Sequence, residues 1–484
     1  MVSASPLPSD MSATKPAWAR AIAHSATEFP LTPLPILSGS LPETLCGTLY
    51  RNGPGRLNRG GVPVGHWFDG DGAILAVHIT PVGARATYRY VKTEGYLAEE
   101  SQNRFLYSGY GMTPPGMLWE RWGKPVKNAA NTSVLALTDR LLALWEGGNP
   151  HALDLETLET SGHDDFAGAL PNNLAYSAHP KRDPKTGDIY NFGVTPGLNS
   201  TLNLFQSDRT GRVKQHTTLP LRGLPLVHDC VLAGPYLVFF VPPVQIPLLP
   251  VGLGLQSFCD AMRWQPQMGT DVIVVERESL TEISRSEAQP WFQWHFSNGY
   301  EEADGTVVID VVRYVDFKTN QYLKEVATGQ IHTETKGTFW RIRLHPQTGI
   351  VLSEEELIDQ SCEFPIVKPH EVGADAEAIF LNIQRPNVNT DGELFGAIAR
   401  FEPATQKLTI ANLGDNRYPS EPMFASHPDH PAQGYVLTVV FDGNTDSSEL
   451  WIFDADGLDQ EPVGRLGLPS IIPHSFHGTW KALS

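Results

Sequence analysis

Residues 338–349 read TFWRIRLHPQTG, and the same form returns in AIARFEPATQ at residues 397–406 and in ELWIFDADG at residues 449–457. Each segment is an aromatic or aliphatic strand that ends in a polar turn. Leu344, Phe401 and Phe453 hold equivalent positions in this weak repeat, 57 and 52 residues apart. Periods of about 40–50 residues are typical of propeller blades, so the spacing is long but compatible with a propeller.

Short strands of the same texture run through the rest of the chain. They are rich in Val, Ile, Phe, Tyr and Trp and end at Gly, Asp, Asn or Pro, as in TDVIVVERE near Val272 and GTVVIDVVRY near Ile309. The pattern predicts an all-β fold, and a sandwich or barrel fits it as well as a propeller. No linker or shift in composition divides the chain. We therefore expect one closed domain over residues 1–484, with residues 1–17 as a flexible N-terminal tail.

Charge and cysteine usage exclude some classes of function. The formal net charge of -18 argues against nucleic acid as a partner, because phosphate-backbone binding needs a basic footprint. The 4 cysteines lie far apart, which is typical of reduced thiols in a cytoplasmic protein. The first twenty residues lack the apolar core of a secretory signal.

One uncharged stretch, LVFFVPPVQIPLLPVGLGL, runs from Leu237 to Leu255. Four prolines would break a helix repeatedly, so we interpret it as a strand that continues into an apolar loop. From the residues alone, a buried loop and a surface that dips into a membrane are equally compatible.

Four of the 16 histidines each follow an apolar or aromatic run: His179 in NLAYSAHP, His228 in LPLVHDC, His295 in WFQWHF and His477 in PHSFHGTW. They are too far apart for a local zinc motif and fit ligands that converge from separate strands. Imidazole suits Zn, Cu, Fe and Ni alike, so the residue type does not choose the metal. For any single histidine, a structural role is the more common outcome.

Three glutamates lie at similar strand ends: Glu146 in LLALWEGG, Glu363 in SCEFPIV and Glu421 in SEPMF. A metal-bound histidine usually donates its other ring N–H to a carboxylate or carbonyl group. The alternative is that each glutamate caps a turn or pairs with an arginine.

The ordered motifs resemble those of the carotenoid cleavage oxygenases, most closely the cyanobacterial apocarotenoid cleavage oxygenases. They are GTLYRNGPG (47–55), HWFDGDG (66–72), KNAANT (127–132), LLALWEGG (141–148), SAHP (177–180), HD (228–229), HFSNGYEE (295–302), CEFP (362–365), SEPMF (420–424) and HGTW (477–480). No motif is strong alone, but ten in the right order, with all four histidines and three glutamates, are highly specific.

The resemblance implies a seven-bladed β-propeller with a helical and loop cap over the iron-bearing face. One Fe²⁺ would be bound by the four histidines. Three of these would be hydrogen-bonded to a glutamate: His228 to Glu146, His295 to Glu363 and His477 to Glu421. Thr132 matches a position near the open iron site. His474 is outside the motif, and we expect it at the rim or surface.

Phe68, Trp145 and Trp294 match aromatic residues that line the substrate tunnel in the family. Flat rings suit a polyene that gains cationic character, although core packing is the common fate of large aromatic residues. The resemblance also favours peripheral membrane contact through residues 237–255.

The implied activity is O2-dependent cleavage of one conjugated C=C bond of an apocarotenoid or carotenoid, with the 15,15′ bond and retinal as the expected case. Two alternatives stay open. One is a stilbenoid-cleaving oxygenase, whose Tyr and Lys pair we do not locate in this sequence, and the other is a non-catalytic carotenoid-binding propeller.

Overall fold

The computed structural model describes residues 15–171, 174–197, 200–389 and 391–483. Residues 1–14 of the expected tail lie outside the described residues. Ala17, which the sequence places in that tail, begins a 3₁₀ helix, Ala17–Ile22, in which Trp18 is fully buried.

The described residues form strands β1 to β35. The first eleven are β1 Phe29–Pro33, β2 Ile36–Gly39, β3 Gly47–Arg56, β4 Asn58–Arg59, β5 Val62–Pro63, β6 Asp71–Thr80, β7 Gly83–Tyr90, β8 Ser133–Ala136, β9 Leu141–Leu144, β10 His151–Leu153 and β11 Thr160–His163. The next fourteen are β12 Lys181–Arg182, β13 Ile189–Thr195, β14 Thr201–Ser207, β15 Val213–Pro220, β16 Val231–Ala233, β17 Tyr236–Val241, β18 Val244–Gln245, β19 Arg263–Trp264, β20 Thr270–Glu276, β21 Thr281–Ala288, β22 Phe296–Glu301, β23 Val307–Arg313, β24 Thr338–Leu344 and β25 Val351–Ile358. The last ten are β26 Cys362–Val367, β27 Ile379–Ile383, β28 Ala397–Glu402, β29 Lys407–Asn412, β30 Arg417–Pro419, β31 Met423–Ser426, β32 Gly434–Asp442, β33 Ser447–Asp454, β34 Gly464–Gly467 and β35 Gly478–Ala482.

Helices are few and short. The α-helices are α1 Glu94–Gln102, α2 Leu248–Gly252, α3 Phe258–Ala261 and α4 Lys318–Val326, and 3₁₀ turns cover Trp67–Asp69, Leu118–Glu120, Pro266–Met268 and Pro369–Glu371. The longest helices, α1 and α4, have 9 residues each. No helix in the described part of the chain has both the length and the apolar character needed to cross a membrane.

The strands form antiparallel sheets arranged as the blades of an all-β propeller. Five blades have four strands each: β8 to β11, β12 to β15, β16–β17–β20–β21, β22 to β25 and β26 to β29. Two larger sheets combine strands from both chain ends, in the orders β1–β7–β6–β3–β35 and β2–β34–β33–β32–β30 with β31 beside β32. The predicted propeller is therefore confirmed, but five blades, not the expected seven, have the regular four-stranded form, and helices contribute little to the expected helical and loop cap.

The innermost strands of neighbouring sheets, those nearest the centre of the propeller, lie side by side. β16 contacts β22, β22 contacts β26, β26 contacts β31, β31 contacts β35, and β35 contacts β8. The residues that begin these strands therefore converge on the middle of the molecule. The weak sequence repeat falls on β24, β28 and β33, which are the third strands of three successive sheets, so the repeat marks the same position in each.

Apolar side chains fill the space between neighbouring sheets. Val274, Ile309 and Ile342 belong to one such cluster between the β20 and β23 sheets, and each is fully buried. Fully burying an aliphatic side chain stabilises the fold by about 1.5–3 kcal/mol. The sheets therefore pack firmly, and the strand ends at the centre are held in place.

Candidate metal centre and cavity

The four predicted histidines lie together at the centre of the propeller. Each of them comes just before the innermost strand of a different sheet. These strands are β12 for His179, β16 for His228, β22 for His295 and β35 for His477. The His179 ring centroid is 4.4 Å from that of His228 and 4.8 Å from that of His477. The His295 centroid is 4.7 Å from that of His477.

Three of these imidazoles contact a glutamate through Nδ1. Oε2 of Glu363 lies 2.6 Å from Nδ1 of His295, and Oε1 of Glu421 lies 2.8 Å from Nδ1 of His477. The Glu146 carboxylate lies against Nδ1 of His228. The same three pairs are implied by the family resemblance. A carboxylate that accepts the Nδ1 proton orients the ring and leaves the Nε2 lone pair facing the centre.

Three residues that support this arrangement were missed by sequence reasoning. Arg51 is buried and its Nη1 donates to Oε2 of Glu421 over 2.9 Å. The hydroxyl of Tyr314 donates to Oε1 of Glu363 over 3.1 Å. Phe364 has a left-handed φ of 56° and stacks on His295, with ring centroids 5.3 Å apart. Arg51 lies in GTLYRNGPG and Phe364 in CEFP, but their partners are evident only from the fold.

The pKa values of the buried glutamate and histidines at the centre are shifted in different directions. Burial would raise the pKa of Glu421, but His477 and Arg51 outweigh it, so the pKa is lowered and the carboxylate is charged. Burial lowers the pKa of His179 well below its usual value, and the three neighbouring histidines lower it further. Burial also opposes the charged form of His295, yet Glu363 raises its pKa overall. A proton and a metal ion would compete for the lone pair of His295.

The donor set fits a transition-metal ion. Nε2 of His228 faces Nε2 of His295 at 3.3 Å, although both Nδ1 atoms are occupied by carboxylates. Two lone pairs that face each other repel unless a cation lies between them. Nε2 of His179 is buried without a hydrogen-bond partner among the described residues, and His179, His295 and His477 form a group whose ligand atoms all lie within 4.8 Å of one another. Imidazole nitrogen suits Fe, Zn, Cu and Ni.

A cavity of about 1150 Å³ opens onto this centre. His228, His295 and His477 line it, while His179 lies behind its wall. The volume exceeds the range of about 300–1,000 Å³ usual for small-molecule pockets, so the cavity accommodates a large ligand. Parts of its wall come from the connections β17–β20, β23–β24 and β27–β28, through residues that include Phe258, Met262, Tyr322, Leu323, Leu394 and Phe395. These connections form a cap made mostly of loops.

The predicted tunnel residues line the cavity. Thr132, Phe68, Trp145 and Trp294 are all in its wall. The Trp294 ring is 4.8 Å from that of His228 and 5.7 Å from that of Phe68, and its Nε1–H donates to Thr319 over 2.9 Å. Trp294 is therefore held rigidly beside the histidines.

The lining of the cavity is mixed in polarity. It includes apolar residues such as Val126, Ile246 and Leu248. It also includes the charged residues Glu334, Lys336, Asp359, Arg385, Asp391 and Glu393. The cavity can therefore accommodate an apolar ligand that carries a polar group.

His474 is not the rim or surface residue that the sequence suggested. It lies in the cavity wall, and its Nε2 lies 2.9 Å from the carbonyl oxygen of Trp18. Burial lowers its pKa to about 4, so it is neutral near pH 7. The N-terminal 3₁₀ helix thus anchors the chain beside the cavity.

The strand predicted at the start of residues 237–255 is present, but it is buried, so the first part of this segment is not a surface that could contact a membrane. Residues 237–241 belong to β17, and their side chains are buried between two sheets because both faces of the strand pack against neighbours. The second half is exposed, with Leu249 at 74% and Leu255 at 58%. Met117, Trp119 and Trp122 are also exposed, and Nε1 of Trp122 donates to the carbonyl of Leu253 over 3.1 Å. We call residues 117–122 and 248–255 together the apolar rim.

Comparison with known proteins places this geometry in a family. The profile of the family described as Retinal pigment epithelial membrane protein (RPE65) matches residues 22–482. The chain belongs to this family of carotenoid oxygenases. The apocarotenoid-15,15′-oxygenase of Synechocystis is 31% identical over 460 residues, which is 92% of each chain. A resveratrol cleavage oxygenase of Aspergillus fumigatus is 28% identical and is covered to 91%.

Solved structures agree with this assignment. Cobalt-substituted apocarotenoid oxygenase from Synechocystis superposes with a TM-score of 0.88 at 28% identity, and the match covers 96% of this chain and 98% of that chain. The expected membership in the carotenoid cleavage oxygenases is confirmed, and the chain is an oxygenase.

Proposed function

We propose that the chain is an Fe²⁺-dependent dioxygenase that cleaves one conjugated C=C bond of an apocarotenoid, at the 15,15′ position, to give retinal and a second carbonyl product. The supporting observation is a group of four imidazoles, three of which line a large, mostly apolar cavity. The likeness to the Synechocystis enzyme, whose name states a 15,15′ reaction on apocarotenoids, supports the choice of bond.

In this proposal His179, His228, His295 and His477 hold one Fe²⁺, and Glu146, Glu363 and Glu421 orient three of them. When bound, the iron supplies the activation of O2. The carboxylates fix the Nδ1–H tautomer and add negative charge behind three of the rings, so four neutral first ligands can hold a divalent cation.

Residues of the cavity wall position the substrate and exclude water. The methyl group of Thr132 narrows the space beside the metal and restricts which molecules approach it. Phe68, Trp145 and Trp294 hold the flat polyene, exclude water and stabilise developing positive charge with their ring faces. Trp294 is suited to this role because its hydrogen bond to Thr319 fixes the ring.

We also infer that the two larger sheets are complete blades, which makes seven blades in one domain. Seven central positions support this count. Thr132, His179, His228, His295, Glu363, Glu421 and His477 each lie at the start of, or within, the first strands of a different sheet. A central site that takes one residue from every blade requires the whole ring to form as a unit.

We propose that the apolar rim rests on a membrane surface, where carotenoid substrates partition. Leu248 is exposed in this rim and also lines the cavity, so the rim is continuous with the cavity wall. Nη1 of Arg121 donates to the carbonyl of Gly254 over 3.0 Å and joins the two segments. Exchanging Leu249 and Trp119 for serine should abolish sedimentation with vesicles and leave cleavage in detergent unchanged; full retention on vesicles would contradict the proposal.

Cleavage of a stilbenoid is the second candidate, because the Aspergillus relative is named for resveratrol. A phenol-activating Tyr and Lys pair would be needed. Among the described residues of the cavity wall the lysine is Lys336, which is half exposed and paired with Asp359. Of the wall tyrosines, Tyr110, Tyr314 and Tyr418 donate to Asn320, Glu363 and Glu393. The pairing of Lys336 with Asp359 favours the polyene over a phenol held by Tyr and Lys.

The deciding experiment is product identification by HPLC across a chain-length series of apocarotenals, with resveratrol in parallel. We expect retinal from β-apo-8′-carotenal and no cleavage of resveratrol. Cleavage of resveratrol alone would establish the stilbenoid alternative. Protein that retains pigment but stays inactive after Fe²⁺ reconstitution would establish the non-catalytic binder. His345→Gln, at an exposed turn, is the matched control for His179→Ala, which should lose both iron and activity.

A further inference from the structure

A second group of potential metal ligands lies at the outer edge of the sheet formed by β8 to β11. His151 on β10 is the direct cross-strand partner of His163 on β11, and their ring centroids are 4.3 Å apart. Glu94, the first residue of α1, reaches toward both rings. None of these three residues is in the wall of the central cavity among the described residues.

Both imidazoles face the same carboxylate oxygen. Oε2 of Glu94 is 3.0 Å from Nε2 of His163 and 3.5 Å from Nε2 of His151. The three ligand atoms all lie within 4.8 Å of one another. Two imidazole nitrogens and one carboxylate oxygen that converge on one point are a common ligand set for divalent transition metals.

Hydrogen bonding satisfies His151 only in part. Its side chain is 0% exposed, and its Nδ1 has no hydrogen-bond partner among the described residues. Burial, and then the neighbouring His163, lower the pKa of His151 to about 4, so the ring is neutral near pH 7. If Nε2 carries the proton, it donates to Glu94 over a long 3.5 Å and Nδ1 remains a buried acceptor without a partner among the described residues. If Nδ1 carries the proton, the Nε2 lone pair faces the carboxylate, and a cation between the two atoms would remove that repulsion.

We propose that Glu94, His151 and His163 bind a divalent transition-metal ion of the Zn²⁺ type, with water completing the coordination. Each ligand contributes one atom, and partial exposure of Glu94 and His163 gives the ion and its water access from solvent. The site is structural rather than catalytic, because it is remote from the cavity wall and offers no enclosed space for a substrate.

The ion would fasten α1 to the edge of this sheet. Glu99, also on α1, accepts hydrogen bonds from the backbone N–H of Leu106 and is 2.8 Å from Nζ of Lys127. Lys127 begins the KNAANT segment that ends at Thr132 beside the central histidines. Holding the start of α1 in place therefore stabilises the segment that carries Thr132 to the central site.

The test compares metal stoichiometry in untagged protein. Wild type, His163→Gln, Glu94→Gln and the control His345→Gln are stripped with a chelator, titrated with Zn²⁺ against a chromophoric competitor, and analysed for bound metal after gel filtration. Wild type and His345→Gln should bind about one equivalent more than His163→Gln and Glu94→Gln. Zn²⁺ should also raise the unfolding temperature of wild type more than that of the two site variants.

The readout is a difference between variants, so it does not depend on what the central site binds. Equal stoichiometry in all four proteins would overturn the proposal and leave a plain hydrogen-bonded cluster. Glu94→Gln is the variant least expected to misfold, because glutamine has the size of glutamate and keeps one oxygen that can accept a hydrogen bond. Loss of one equivalent in His163→Gln with full binding in Glu94→Gln would also overturn the proposed three-residue site.

Discussion

Replacing Arg51 by methionine tests how the glutamates behind the histidines are held. Nη1 of Arg51 donates to Oε2 of Glu421 over 2.9 Å, while Nη2 donates to the carbonyl of Phe476 over 2.7 Å and to the hydroxyl of Ser475 over 3.1 Å. The guanidinium is buried, with 1% of the side chain exposed. Methionine fills similar space but leaves the buried Glu421 carboxylate without a charged partner, with the ring of His477 and the backbone N–H of Gly478 as its remaining hydrogen-bond donors.

The expected cost follows from burial. Removing one partner of a buried ion pair costs about 3–5 kcal/mol, because the remaining charge is left uncompensated. Loss of a group that orients a metal ligand typically lowers metal affinity by roughly 10- to 100-fold. Arg51→Met should therefore unfold several degrees below wild type and retain less iron at a fixed free Fe²⁺ concentration.

A double variant separates charge from packing. In Arg51→Met/Glu421→Gln the uncompensated carboxylate is gone, so the double variant should be more stable than Arg51→Met alone. Arg341→Met is the control, because Arg341 pairs with the buried Asp310 through two hydrogen bonds of 2.8 Å each, and neither residue contacts the central histidines. It should lower the unfolding temperature and leave iron content unchanged. Full iron content in Arg51→Met, or a double variant less stable than the single, would refute this reasoning.

Three further results are expected. Tyr314→Phe removes the hydroxyl that donates to Glu363 over 3.1 Å and should lower iron affinity about 10-fold, measured by competition with a chelator; unchanged affinity would make that contact incidental. Trp145→Ala should lower kcat/KM for apocarotenals by about 10-fold with iron content unchanged; loss of iron instead would show a structural role. Burial raises the pKa of Asp69 from 3.8 to about 6, so wild type loses about 3 kcal/mol of stability as the pH rises from about 4 to above 6. Asp69→Asn lacks this loss, and its unfolding temperature relative to wild type should increase between pH 5 and pH 7; a constant difference would contradict the shift.

The central residues could be predicted because each lies in a short local pattern. A strand end that carries His or Glu is visible in eight or ten letters, and the order of such patterns indicates the family. Arg51 and Tyr314 were missed for the opposite reason. Their partners, Glu421 and Glu363, are 370 and 49 residues away, and nothing in the local sequence records such pairs.

The extent of membrane contact expected for residues 237–255 and the place of His474 could not be predicted, and the two cases have a common physical cause. An uncharged run has the same composition whether it is buried between two sheets or exposed to lipid, so hydropathy could not separate β17 from the apolar rim. His474 stands in a loop segment whose sequence resembles a surface turn. Only the packing of the N-terminal 3₁₀ helix, through the carbonyl of Trp18, encloses it.

The pairing of β35 with β3 also bears on how the fold tolerates truncation. Gly478 pairs with Arg51, so His477 takes its place only when β35 returns to a strand more than four hundred residues earlier in the sequence. A variant truncated before His477 would lose one of the four imidazoles and would leave β3 without its neighbour, so the remaining blades would enclose an incomplete centre however well they folded.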